Sequence, residues 1–188
     1  MERKTYLENE DIKLLFAKDE DRRFIYDLTL EESDVILSMF DDESGFHWEE
    51  LRDERDVFFN EKPDLDKYLL IEYNSEIVGV FCHNYHNAPI ENMEFHIWMR
   101  AMKYTGKGIG TRVLRMMIEH INKEYNINTF IMRPWTKNPR AVSAYKKCGF
   151  EVKENFELEK YFTKEEIEKY GNGAYVEEET VNMVLNLK

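Results

Sequence analysis

Apolar and polar positions change their period several times along the 188 residues, and each change marks an element. Ile12 to Phe16 is an apolar run that reads as a short first strand, while Asp19 to Asp27 and Glu31 to Phe40 read as two helical stretches. From Asp41 to Asp66 the periodicity weakens around Gly45 and Pro63, so loops and short helical pieces are predicted there. Lys67 to Tyr73 and Glu76 to Tyr85 read as two strands joined by a tight hairpin turn at Asn74-Ser75. Glu91 to Arg100 alternates, with Met93, Phe95 and Ile97 on one face and Glu94, His96 and Trp98 on the other, as a half-buried strand does. A glycine cluster follows. Ile109, Val113, Met116, Met117 and Ile121 fall at helical spacing behind it, so a helix starts at the glycines. Thr129 to Arg133 is a further strand. Asn138-Pro139 then opens a second helix that ends at Gly149, with Asn as N-cap, Pro at the first helical position and Gly just past the end. Phe150 to Lys153 and Thr180 to Leu187 close the chain as strands, and Phe156 to Asn172 between them is a charged, partly helical excursion without a legible role.

No repeat, low-complexity tract or linker rich in Pro, Gly and Ser interrupts this series, so residues 1–188 read as a single domain. Hydrophobic residues at 43% and aromatics at 14% supply a core and exclude disorder. No apolar run approaches the roughly 18 residues of a membrane span, and the polar start Met1-Glu2-Arg3-Lys4 lacks the apolar middle of a signal peptide. A cytoplasmic protein that binds no membrane is the expectation. Cys82 and Cys148 cannot build a disulfide framework or a metal knuckle and read as core or half-buried thiols. No metal site is expected either: a strand would place His83 and His86 on opposite faces, with no third ligand nearby.

Charge divides the chain. The formal net charge of −12 repels phosphates and predicts no nucleic-acid partner. Residues 31–66 hold 14 acids against 3 bases, whereas residues 103–147 hold 10 bases against 2 acids. The basic stretch suits an anion and the acidic one a cation, with solvated helix faces as the alternative for each.

The basic stretch contains Thr105-Gly106-Lys107-Gly108-Ile109-Gly110-Thr111, placed where a strand hands over to a helix, so that backbone N–H groups and the helix dipole can hold a phosphate. It is not a P-loop, because the four residues between Gly and Gly-Lys-Ser/Thr are missing. Nor is it a dinucleotide fingerprint, since Thr111 stands at the third Gly and no acidic ribose ligand follows the next strand. A glycine turn that only lets a helix approach a strand is the remaining alternative.

Some thirty residues on comes Asn138-Pro139-Arg140-Ala141-Val142-Ser143-Ala144-Tyr145-Lys146-Lys147-Cys148-Gly149-Phe150. Together the two segments resemble the GNAT (GCN5-related N-acetyltransferase) superfamily. Its pyrophosphate loop, Gln/Arg-x-x-Gly-x-Gly/Ala, is matched at Gly108 and Gly110, and its second motif at Asn138, Ala141, Tyr145, Lys147, Gly149 and Phe150. Thr105 departs from the leading Gln or Arg, which withdraws that side chain's share of phosphate binding and leaves the backbone cradle. From about Phe95 to Val152 the chain is most similar to aminoglycoside 6′-N-acetyltransferases and siderophore-lysine acyltransferases, while the N-terminal half matches in layout only.

The resemblance implies an α/β (α+β) fold with a central, mostly antiparallel mixed sheet and helices on both faces. It implies acetyl-CoA as cofactor, with the pyrophosphate on the amides of Gly106, Lys107, Gly108, Ile109, Gly110 and Thr111. Asn138 and Lys147 come nearer the pantetheine and adenine ends. Trp98, Met99 and Arg100, on a strand that splays from its neighbour, lend main-chain groups to the pantetheine arm and acetyl carbonyl. His96, ten residues before Gly106, takes the general-base position, where a hydrogen-bonded strand histidine is the alternative. Glu94 is the second candidate for base or for orienting the amine. Tyr145 takes the position of the acid beside the departing sulfur, against the alternative of an aromatic in the helix's buried stripe. Trp48, Glu49, Glu50 and Asp53, with Phe46 and His47, combine aromatics and acids as a sugar-like polycation would require, or plug a loop onto the core. The implied activity is N-acetylation of a small, polycationic amine acceptor, led by aminoglycoside 6′-N-acetylation. The alternatives are acylation of a siderophore hydroxylysine, acetylation of a protein amine, and a cofactor-binding sensor without catalysis. Oligomeric state and acyl-chain preference leave no mark on the sequence.

Overall fold

The computed structural model describes residues 3–29, 47–62, 64–87, 89–170 and 179–188. Among the described residues, eight strands form one sheet in the order β1-β2-β3-β4-β5-β6-β8-β7. They are β1 (Thr5–Asn9), β2 (Ile12–Phe16), β3 (Lys67–Tyr73), β4 (Glu76–His86), β5 (Asn92–Met99), β6 (Thr129–Met132), β7 (Glu151–Val152) and β8 (Met183–Asn186). β5 runs parallel to β6, and the ladders β1·β2, β2·β3, β3·β4, β6·β8 and β7·β8 are antiparallel. The expected mostly antiparallel mixed sheet with helices is therefore present. The helices are α1 (Arg22–Thr29), α2 (Trp48–Arg52), α3 (Ile109–Tyr125), α4 (Pro139–Lys147) and α5 (Lys164–Tyr170). The helix expected over Glu31 to Phe40 lies outside the described residues.

The chain divides into two compact units, one of Met1–His83 with His96–Val113 and the other of Asn84–Phe95 with Leu114–Lys188. In the first, α1, α2 and the inner faces of β2, β3 and β4 enclose a core that includes Leu15, Ile25, Leu51, Phe58, Tyr68, Leu70 and Trp98. The hairpin turn between β3 and β4 forms as expected, with Asn74 and Ser75 both at positive φ (50° and 65°), the backbone that matches the twist of paired strands. Lys67 is wholly buried on β3, where its Nζ donates to the Val57 carbonyl, to Asn60 Oδ1 at 2.9 Å and to Asp64 Oδ2 at 3.4 Å. Burial pulls this ammonium below its ordinary pKa although Asp64 opposes the shift.

Two expectations need correction. Ile12–Phe16 is the second strand, not the first, because Thr5–Asn9 pairs with it antiparallel. That edge strand is largely exposed, so ladder hydrogen bonds define it and burial leaves no pattern to read. β5 is not half-buried at its start: Asn92, Met93, Glu94 and Phe95 are all enclosed, as expected of a central strand covered on both faces.

In the second unit, α4 begins as its sequence predicts. Asn138 Oδ1 accepts the Ala141 N–H at 3.1 Å, Pro139 occupies the first turn, and Gly149 past the end takes φ 96°. α5 occupies part of the charged excursion and has a capping box: the Thr163 N–H donates to Glu166 Oε2 at 2.7 Å and the Glu166 N–H to Thr163 Oγ1 at 3.2 Å.

Candidate active site

The glycine loop belongs to the first unit. Residues Met102–Tyr104 make one 3₁₀ turn, and Thr105 closes it by donating its hydroxyl to the Met102 carbonyl at 2.8 Å, so this side chain is spent locally. Gly106 and Gly108 follow at φ 71° and 78°, a region that side chains other than glycine rarely adopt. A Cβ added at either would meet nothing within 4 Å among the described residues, so no described atom closes over the loop there. Ile109 is buried and fixes the start of α3, whose first backbone bond runs from the Arg112 N–H to the Gly108 carbonyl at 3.0 Å. The amides of Ile109, Gly110 and Thr111 therefore stand ahead of the helical ladder, at the positive end of the dipole. That donor set suits a pyrophosphate. Lys107 is exposed beside it, with Nζ 5.9 Å from the Tyr104 ring centre. Arg112 on the same first turn pairs with Glu10 at 3.1 Å and with Asp11, and its hydrogen bond holds the Asp11 carboxyl below the usual range.

His96, Trp98, Met99 and Arg100 also lie in this unit, on or just past β5. His96 is exposed, while Trp98 is buried edge-on to Tyr68 at 6.2 Å. The described ladder of β5 with β6 pairs Met93 with Phe130 and Glu94 with Ile131, both before His96. On α2, Trp48 is half-buried, 5.7 Å from the Tyr26 ring and 5.3 Å from the Arg23 guanidinium. Glu49 and Glu50 face solvent. Asp53 is exposed too, and the Arg52 guanidinium at 2.7 Å holds its carboxyl below the ordinary value. Phe46 and the acids of residues 31–43 lie outside the described residues.

The second unit carries Glu94, Asn138, Tyr145 and Lys147. Tyr145 is 8% exposed on α4, with its ring 6.3 Å from Phe150. Lys147 is exposed at the end of α4, and its carbonyl accepts from Arg115 Nη2 at 2.8 Å. Asn138 Oδ1 is the helix cap. Glu94 differs in kind from His96: it is 3% exposed and receives both Arg133 Nε at 2.6 Å and Nη2 at 3.1 Å.

This pair belongs to a buried cluster that sequence reasoning missed. His86 Nδ1 bonds Glu166 Oε1 at 2.7 Å, its Nε2 faces Glu94 Oε2 at 3.7 Å, and Phe162 closes over it edge-on at 4.8 Å. Burial disfavours the imidazolium, but the two carboxylates outweigh burial and raise His86 above the ordinary histidine value. Glu166 is lowered in return: burial pushes it up, and hydrogen bonds from His86 and Thr163 more than offset that. A sequence signal existed only for the end of this cluster, the Thr163-x-x-Glu166 capping pattern. His83 is also buried, with Nδ1 2.8 Å from the Leu65 carbonyl.

Sheet order, glycine loop and helix start are those expected of the acetyltransferase fold, and the family match makes the class an enzyme that moves an acyl group from an acyl-CoA thioester to an amine. A family model described as the acetyltransferase (GNAT) domain matches residues 6–151, and the chain belongs to that family. Solved structures agree in fold. RimL, a ribosomal L7/L12 α-N-protein acetyltransferase in complex with coenzyme A, superposes with TM-score 0.67 at 16% identity over 98% of both chains. The spermidine N-acetyltransferase of Vibrio cholerae, with CoA and spermine, gives 0.65 at 18% identity over 95% of this chain and 96% of that one. The aminoglycoside acetyltransferase AAC(6′)-Ib with coenzyme A gives 0.65 at 16% over 93% and 94%. No helix among the described residues is long and apolar enough to cross a membrane.

Proposed function

We propose that the protein is a single-domain N-acetyltransferase that acetylates a primary amine of a small polycationic acceptor, with the 6′-amine of an aminoglycoside as the leading substrate. Acetyl-CoA, when bound, supplies the activated acyl group and a thiolate leaving group. The amides from Gly106 to Thr111 hold its pyrophosphate, with Asn138 and Lys147 toward the rest of the cofactor. Main-chain groups of Trp98, Met99 and Arg100 orient the reacting carbonyl. His96 accepts the proton of the attacking amine, and its exposure on β5 suits a base that must reach an acceptor, whereas Glu94 is occupied by Arg133 and serves better to fix β5 than to take a proton. Tyr145 donates its hydroxyl proton to the departing sulfur.

The observation that carries this reading is the open glycine cradle at the head of α3. The cationic acceptor is supported by the exposed acids of α2 and by the charge of residues 31–66. A relative that acts on spermidine and one named for aminoglycosides share the fold. A second reading, acylation of a hydroxylysine-type siderophore precursor, is favoured by histidine rather than aspartate at position 96.

The test is a panel of aminoglycosides, polyamines, hydroxylysine derivatives and peptides, with thiol release as readout, run with the wild type and with His96→Ala. The expected result is turnover on polycationic amines that falls as salt rises, since steering of exposed charge reaches only about 10 Å at 0.1 M salt. His96→Ala should lower kcat by roughly 100-fold and flatten the acidic limb of the pH profile. Turnover on peptides alone, without salt dependence, would replace the acceptor class.

A further inference from the structure

Four consecutive residues of β4 hold the strand and turn that lead into the glycine loop. The register with β3 pairs Ile71 with Gly79 and Glu72 with Ile77, so the ladder skips Val78. The Val78 carbonyl accepts the Arg100 N–H at 2.9 Å instead. Arg100 Nη1 donates to the Ile77 carbonyl at 3.0 Å and pairs with Glu76 at 3.4 Å. The Tyr104 hydroxyl donates to the same Glu76 carboxylate, two residues before Gly106.

At Gly79 the two backbones come unusually close. A Cβ added there would stand 2.5 Å from the Trp98 carbonyl oxygen and 3.2 Å from Met99 Cα. Gly79 does not occupy the left-handed region, unlike Gly106 and Gly108, so space and not conformation demands glycine here. The two nearest atoms in the way are main chain, which cannot turn aside as the tip of a side chain such as Met99 Sδ, at 3.3 Å, can.

We infer that Gly79 and Glu76 are positioning residues for acyl transfer: Gly79 sets the course of Trp98–Arg100, and Glu76 anchors Tyr104 ahead of the glycine loop. The inference rests on the reading of Trp98–Arg100 as the main chain that meets the pantetheine arm and acyl carbonyl. A methyl at position 79 has to displace that segment. Misplacement of reacting groups by about 1 Å lowers rates by roughly 100-fold.

The experiment compares wild type, Gly79→Ala and Glu76→Ala by thermal melting, by turnover, and by calorimetric affinity for acetyl-CoA and for 3′-phospho-ADP, the fragment of the cofactor that ends at the pyrophosphate. Gly79→Ala should lower kcat about 10- to 100-fold and shrink the margin by which acetyl-CoA binds more tightly than the fragment, while fragment affinity stays at the wild-type value. Glu76 is exposed, so Glu76→Ala should fold, and it should weaken both ligands in parallel by severalfold. A folded Gly79→Ala protein with unchanged margin and turnover overturns the inference, even if its melting temperature is lower, because that is a packing role only. If Gly79→Ala does not fold, Glu76→Ala decides, and wild-type affinities in it overturn the inference. Should the wild type bind acetyl-CoA no more tightly than 3′-phospho-ADP, the reading of Trp98–Arg100 fails and the inference with it; an intact wild-type margin confines any failure to Gly79 and Glu76.

Discussion

The start of α3 and the starts of α4 and α5 solve the same problem in opposite ways. Every helix begins with N–H groups that have no carbonyl one turn back. α4 provides for its own with Asn138 Oδ1 and Pro139, and α5 does so with the reciprocal pair Thr163 and Glu166. α3 opens on Gly108, which has no side chain to offer, at a φ that keeps other residues out and with none of the described residues within 4 Å of where a Cβ would stand. A self-capped helix end meets its first donors with its own side chains, whereas an end built on glycine leaves them to backbone and, on the proposed reading, to a bound phosphate. That contrast separates the loop proposed to hold the cofactor from two self-capped helix starts without reference to any relative.

The contrast breaks most visibly at Gly108. Gly108→Val should weaken acetyl-CoA binding by roughly 100-fold, because a β-branched residue is strained at positive φ by about 1–3 kcal/mol and also fills the cradle. Unchanged affinity by calorimetry would make the loop a plain turn.

At α5 the expected effect is on stability and depends on pH. His86 has a folded pKa above its unfolded value, so its contribution is complete below about 6.5 and is lost as pH rises through the raised folded value. Glu166, lowered in the fold, contributes above about 4.5 and loses that contribution as pH falls through its folded value. His86→Gln should therefore destabilise by about 2 kcal/mol between these limits, and by less in alkali. Urea melts across the pH range check this, and a difference that is flat with pH would show that His86 is neutral in the fold.

The smallest effect belongs to α4. Asn138→Ala removes one cap and should lower stability by about 1 kcal/mol, with acetyl-CoA affinity changed far less than by Gly108→Val. A loss of affinity comparable to that of the glycine variant would make Asn138 as large a contributor to holding the cofactor as the glycine loop.

Local rules made much of this legible. Asn74-Ser75 and Asn138-Pro139 to Gly149 name their own conformations, and the glycines before Ile109 mark a helix start at the right residue. What escaped were features set by partners distant in sequence. Thr5–Asn9 is a strand because β2 lies beside it. Glu94 reads as an outward residue of an alternating strand until Arg133, 39 positions away, turns it inward. His86 meets Glu166 across 80 positions, and no spacing announces that. Gly79 looks like any strand glycine until the Trp98 carbonyl is placed against it.

The enclosure of Lys67 has a consequence for the protein's own chemistry. An enzyme that works with a reactive thioester is exposed to unwanted acylation of its lysines. Lys67, whose pKa burial pulls below the ordinary value, is wholly buried, and its Nζ donates to Val57, Asn60 and Asp64. It becomes reactive only when that short segment lifts away. The rate at which Lys67 is labelled by an amine reagent is thus a clock for local opening beside β3, readable by mass spectrometry in the intact enzyme.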